Sequence, residues 1–141
     1  MAEYSTTVVQ TVEPNQNILF NETPVCGKGN SITHREGSGL ITLRGITYQC
    51  RARYKVTFGG NIAISEGGTA EAISVALAIN GEALASTRMI VTPAAIGEYF
   101  NVSRSLYIDI PAGYCSQISV KNTSTQNIDV QNASIIIERV A

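Results

Sequence analysis

The chain has no tryptophan, one histidine and only 15% charged residues. Soluble domains usually carry about 25% charge. The net charge is −1, so the chain has no field of the kind that gathers nucleic acid or an acidic membrane surface. Three cysteines, Cys26, Cys50 and Cys115, make neither a disulfide framework nor a zinc pattern; they are expected as free buried thiols. No apolar run approaches the length of a membrane span, and MAEYSTTVVQTVEP lacks the basic and apolar regions of a signal peptide. Folding in a reducing cytoplasm, without a classical secretion route, is the expectation. Without that route, the Asn-x-Ser/Thr triplets at Asn21, Asn101, Asn122 and Asn132 mean only polar strands and turns. A chain of 141 residues points to one domain with an adequate core. With so few charges, two explanations of its surface stand open: a β surface rich in Ser, Thr and Asn, or a surface covered by other subunits.

What the chain does have is alternation. The stretch ISVALAINGEALASTRMIV, residues 73–91, reads as two strands around an Asn80-Gly81 turn. Asn-Gly suits a type I′ turn, which needs positive φ at both central residues. This predicts that Ile79 pairs with Glu82, Leu77 with Leu84, and Val75 with Ser86. Ile73, Val75, Leu77 and Ile79 share one face; Ser74, Ala76 and Ala78 share the other, which is too small and apolar for a wetted surface. Thr47 to Phe58 predicts a second strong strand, ended by Gly59-Gly60, with Tyr48, Cys50, Ala52, Tyr54, Val56 and Phe58 on its apolar face. Glu98 to Ile110 alternates again, with Phe100, Val102, Leu106, Ile108 and Ile110 opposite Tyr99, Asn101, Tyr107 and Asp109. Further strands are expected at Glu3 to Val12, Asn17 to Phe20, Leu40 to Arg44, Tyr114 to Asn122 and Asn127 to Val140. About eight to ten strands with no helix specify an all-β antiparallel sandwich or barrel.

The order of these elements resembles a known family. VALAINGEALASTRMIV, a long alternating strand, and DIPAGYCSQISVKNTSTQNIDVQNASIIIERV resemble the C1q/TNF-like jelly roll, especially bacterial and phage members such as the globular tips of collagen-like spore-surface proteins. The likeness covers roughly Leu40 to Val140. The stretch TPVCGKGNSITHREGSG, within the first forty residues, looks like small virion proteins of phages that infect Gram-positive bacteria. The resemblance implies a two-sheet jelly-roll sandwich over residues 21–141, an N-terminal strand or arm over residues 1–20, and a homotrimer. The chain departs from the spore-surface and complement relatives in lacking a Gly-X-Y stalk. With no signal sequence either, the expected role is a structural virion protein that decorates or cements a bacteriophage capsid, or a head-fibre base, assembled in the host cytoplasm. The alternative is a receptor- or carbohydrate-binding module at a cell or spore surface. The expected partners are further copies of the chain and a major capsid protein or other virion subunit, with no nucleic acid and no membrane.

Candidate sites follow. By analogy with relatives that place aromatics of a late strand on the threefold, Tyr99, Phe100 and Tyr107 are the trimer-interface candidates. Arg51, Arg53 and Lys55 make a basic stripe on one strand face. They are either solvated beside Asp or Glu partners, or a docking face for an acidic capsid or a neighbouring subunit. The arm would anchor to a shell, with Tyr4, Val8 and Val12 as contact residues. No enzyme is expected, nor any cofactor or metal. His34 has no second histidine and no cysteine at ligand spacing, and reads as a loop or interface residue. Cys50 and Cys115 beside His34 could be imagined as a nucleophile pair, but Cys50 falls on the apolar face and is expected packed. Gly27-Lys28-Gly29 and Gly67-Gly68 precede no helix, so phosphate binding is not expected. The acidic residues are too dispersed for a glycosidase pair or a calcium loop.

Overall fold

Alternation along the chain becomes two stacked antiparallel sheets. The computed structural model describes residues 1–141 except 28, 30 and 47–49. The strands are β1 (Ala2–Thr6), β2 (Gln10–Val12), β3 (Glu22–Val25), β4 (Ile32–His34), β5 (Ile41–Arg44), β6 (Arg51–Ile64), β7 (Ile73–Ile79), β8 (Glu82–Ala83), β9 (Met89–Val91), β10 (Phe100–Pro111), β11 (Cys115–Asn122) and β12 (Ile128–Arg139). The first sheet runs β10-β6-β12-β1-β3, with β2 also on β12; the second runs β4-β5-β11-β7-β8, with β9 also on β7. Inward residues of both sheets, among them Tyr54, Phe58, Ile62, Leu77, Ile118 and Ile135, form one buried core that Phe20 joins from the connection between β2 and β3. The count is twelve strands among the described residues, rather than eight to ten, because several short edge segments pair as separate strands.

The Asn80-Gly81 turn forms with φ of 52° and 86°, and Ile79 faces Glu82 as expected. The expected Val75–Ser86 pair does not form; Val75 faces Met89. A single 3-10 turn at Ala85–Thr87 takes three residues out of the ladder. Thr87 holds this detour in place. Its Oγ1 accepts the Leu77 N–H at 3.0 Å and donates to the Leu84 carbonyl at 2.7 Å. Both faces of β7 are buried, Ser74, Ala76 and Ala78 included.

Gly59-Gly60 does not end the second strand, which runs on to Ile64. The glycines sit opposite a bulge in β12, where the register shifts between Gln131 and Ser134 and Asn132 takes a φ of 53°. A Cβ on Gly60 would lie 3.3 Å from the Ala133 Cα, so the bulge needs a bare backbone there. The expected start of this strand at Thr47 lies outside the described residues, as do Tyr48 and Lys28.

The first twenty residues also differ from expectation. Glu3 to Val12 is two strands, not one, because residues 7–9 loop out. β1 lies between β12 and β3, and β2 extends the ladder on β12. Asn17 to Phe20 makes no strand beyond one bridge from Asn17 to Lys121, but Ile18 and Phe20 are fully buried. The Gln10 side-chain amide pairs with the Leu19 backbone in both directions, each bond 2.9 Å. Asn122, also fully buried, donates from Nδ2 to the Val12 and Gln126 carbonyls. Residues 2–20 are thus part of the sandwich. The three cysteines are all exposed, not buried: Cys50 precedes β6, and Cys26 and Cys115 sit at strand ends where inward packing fails.

A candidate interaction surface on the first sheet

The outward face of the first sheet is built by register. In β6 and β10 the odd-numbered side chains point away from the core, and the bulge in β12 switches its outward set from Asp129 and Gln131 to Ser134, Ile136 and Glu138. Reading across the strands gives rows: Glu138, Lys55 and Tyr107; then Glu3, Ile136, Thr57 and Ser105; then Ser5, Ser134, Gly59 and Ser103; then Gln131, Asn61 and Asn101. Over β12, β6 and β10 the last three of these rows carry no charge. Their polar groups partly satisfy each other: Thr57 Oγ1 and Ser105 Oγ are 3.0 Å apart, and Asn101 Nδ2 donates to Asn61 Oδ1 at 3.1 Å. Covering such a face costs little desolvation, because those hydrogen bonds are kept.

Charge sits at the ends. Arg53 grips Asp109 with two hydrogen bonds, Nε to Oδ1 at 2.8 Å and Nη2 to Oδ2 at 3.0 Å, and Arg51 approaches Oδ2 at 3.4 Å. The basic stripe therefore has an acidic cross-strand partner, and the Arg53 charge is matched within the sheet. Lys55 lies between Tyr107 and Glu138 in register. The Arg53 hydrogen bonds hold the Asp109 carboxyl below the usual carboxylate range; partial desolvation opposes this, and the charges of Arg53 and Arg51 add to it. A depressed carboxylate stabilises the fold above its unfolded value and ceases to as pH falls through its folded one. The melting-temperature gap between wild type and Asp109→Asn should thus be constant near neutrality. It should narrow as pH drops past about 3.9 and close once Asp109 is protonated. A gap that persists in acid would refute the pairing as its source. The effect is small, since the pair is solvent-exposed.

The aromatic candidates do not form one patch. Tyr99 and Tyr107 share the outward face but stand eight residues apart, about 27 Å at strand rise. Tyr107 is 63% exposed, and Tyr99 lies near Asp129; burial, and then that carboxylate, raise its phenol. Phe100 is on the opposite parity, facing Ile62, at the rim of the sandwich. Tyr4 and Val12, expected as docking residues, are 3% exposed and belong to the core; only Val8, at 67%, is free to touch a partner. Burial raises the Tyr4 phenol, with Cys26 adding to it, and its ring centroid is 4.4 Å from that of His34. His34 Nε2 donates to the Ser38 carbonyl at 2.7 Å. Among the described residues no group of His, Cys, Asp and Glu is placed to hold a metal. Sequence reasoning missed Ile136, Thr57, Ser103, Ser105 and Asn61 as a common surface. Their alternation was visible, but the register that aligns three distant strands was not.

No protein-family model matches the chain, and no curated protein matches it. Solved structures do. The globular domain of zebrafish complement 1qA protein superposes with a TM-score of 0.62 at 10% identity, over 94% of this chain and 93% of that one. The PRD1 vertex protein P5 aligns at 13% identity and a TM-score of 0.45, over 95% and 93%. The C-terminal domain of EclA, described as a sugar-binding protein, aligns at 17% and 0.43, over 94% and 79%. At these identities the likeness speaks of fold, and only the first has a TM-score high enough to argue from. The chain folds as a C1q-like jelly-roll sandwich.

Proposed function

We propose that this chain is a structural virion protein, a homotrimeric jelly roll that decorates or cements a bacteriophage shell. The assembly half of this reading rests on one observation, the uncharged centre of the first sheet's outward face, flanked by the exposed Tyr99 and Tyr107. Solvent-facing surfaces usually carry about a quarter to a third charged residues. This one offers Ser, Thr, Asn, Gly and Ile136, with part of its side-chain hydrogen bonding made within the face, which suits burial against copies of itself. The virion half is supported by the likeness of residues 23–39 to small phage virion proteins. Light scattering on the eluting full chain should give three times the 15.0 kDa chain mass. Thr57→Lys, which places a cation in the neutral centre, should give a folded single chain. A wild type that stays at 15.0 kDa at tens of micromolar would end the trimer reading. Failure to co-sediment with shells that lack it would end the virion reading.

A hollow of about 450 Å³ beside Arg53, Tyr107 and Asp109 favours a second reading, a sugar-binding surface module. Tyrosine beside polar side chains can stack on a sugar ring. Binding on a glycan array that disappears with Tyr107→Ala would carry it; a blank array would remove it.

A further inference from the structure

The outer edge of β10 is a second kind of surface, in the plane of the sheet rather than on its face. β10 is twelve residues long and, among the described residues, pairs only with β6. The direction of its free backbone groups follows from four hydrogen bonds. Arg53 N donates to Ala141 O, Val140 N donates to Arg53 O, and Ser65 N donates to Asn127 O, so odd residues of β6 point toward β12. Gly97 N donates to Ile64 O, so even residues point toward β10. Alternate residues of a strand aim their backbone groups at opposite edges. With Tyr54 facing Ile108 in the ladder, the even residues of β10 are bound to β6. Asn101, Ser103, Ser105, Tyr107 and Asp109 therefore aim their N–H and C=O groups outward, where no described residue meets them. Pro111 occupies the next such position, the one place in a strand where the missing N–H costs nothing.

Edges this long are normally blunted by lysines, bulges or cover. Between this edge and β9 of the second sheet runs a groove of about 320 Å³. Arg88 and Arg104 line it, with Ile90 and Val91, and no Asp or Glu does. Ile90 is 57% exposed. Arg88 makes one side-chain hydrogen bond, to Ser74 Oγ at 3.1 Å. A strand added to β10 would lay every second side chain over this groove, on the two guanidinium groups and the isoleucine.

We propose that the β10 edge takes up an extended acidic peptide segment of another protein, one that alternates Glu or Asp with β-branched residues, by strand addition. Charge complementarity selects this occupant. A second copy of the chain would bring an equally basic groove to the same contact. The inference does not depend on the trimer, which uses the face and not the edge.

The test is fluorescence anisotropy of the full-length chain with a labelled nine-residue peptide of alternating Val and Glu, at low salt. Saturable binding is expected, with none for the same peptide carrying Lys in place of Glu. Arg88→Glu with Arg104→Glu should weaken it at least about tenfold. Ser103→Pro removes an outward N–H but no bond to β6, so it should abolish binding while circular dichroism and melting temperature hold. Binding that survives Ser103→Pro, equal binding of the basic peptide, or no saturable binding would each overturn the proposal.

Discussion

Gly45→Ala should lower stability by about 3 kcal/mol, and the melting temperature by about 10 °C. Gly45 follows β5 and donates its N–H to the Tyr114 carbonyl at 2.9 Å. A methyl group there would stand against the Pro111 carbonyl oxygen, 2.8 Å from the Pro111 carbonyl carbon and 3.2 Å from the Ala112 Cα. All three atoms are backbone, so no side-chain rotation relieves the clash. Relief requires moving the turn between β10 and β11 away from β5, and that turn connects the two sheets. Gly59→Ala is the matched control. A Cβ at Gly59 meets nothing within 4 Å, so it should change stability little. Urea denaturation of both variants decides the matter; equal midpoints would show that the approach of the two turns is loose.

Phe20→Ala should cost about 3–5 kcal/mol, the range for emptying a buried phenylalanine site. Phe20 is fully buried and sits against the His34 ring, with centroids 6.4 Å apart. Its backbone is tied on both sides: its N–H donates to the Ser38 carbonyl, and its carbonyl accepts the Gly37 N–H. The variant separates two views of the first twenty residues. If they were a loosely attached arm, truncating Phe20 would hardly move the unfolding midpoint. With β1 between β12 and β3, the loss should be of the size seen for any core aromatic. Val8→Ala, at an exposed position in the same segment, should stay within about 0.5 kcal/mol. A loss below about 1 kcal/mol for Phe20→Ala would restore the arm.

Much of the fold was legible because period-two alternation is a local property. Residues 51–58 and 106–110 could be sorted into inward and outward sets from the sequence alone, and the structure keeps those sets, although Phe100, sorted inward, is exposed at the rim. The Asn-Gly turn was legible for the same reason, since its chemistry is contained in two residues. What escaped was non-local. Gly59-Gly60 looks like punctuation until the β12 bulge opposite it is known, and that bulge lies more than seventy residues away. Tyr4 and Val12 look like an arm until β1 and β2 pair with β12 and turn them into the core. Thr87 looks like an ordinary polar residue until its hydroxyl is found standing in for strand pairing at Leu77. The cysteines were misread because burial of a thiol depends on where a strand ends, and strand ends are poorly marked in sequence. The candidate surface fared similarly. Tyr99 and Tyr107 were placed on the right face, but the neutral patch between them exists only once β6, β10 and β12 are in register.

The place of β12 in the first sheet has a consequence for biosynthesis. It follows the other described strands in the chain and so leaves the ribosome after them, yet it separates β6 from β1 and also carries β2. Until it emerges, those three strands wait with hydrogen-bonding edges open, and no local rearrangement can close the gap. Contacts this distant in sequence form slowly. The nascent chain is therefore most exposed to sticking to its neighbours in the interval before β12 emerges. A message that stalls before Ile128, or a protease that cuts ahead of it, would leave a product unable to close the sheet.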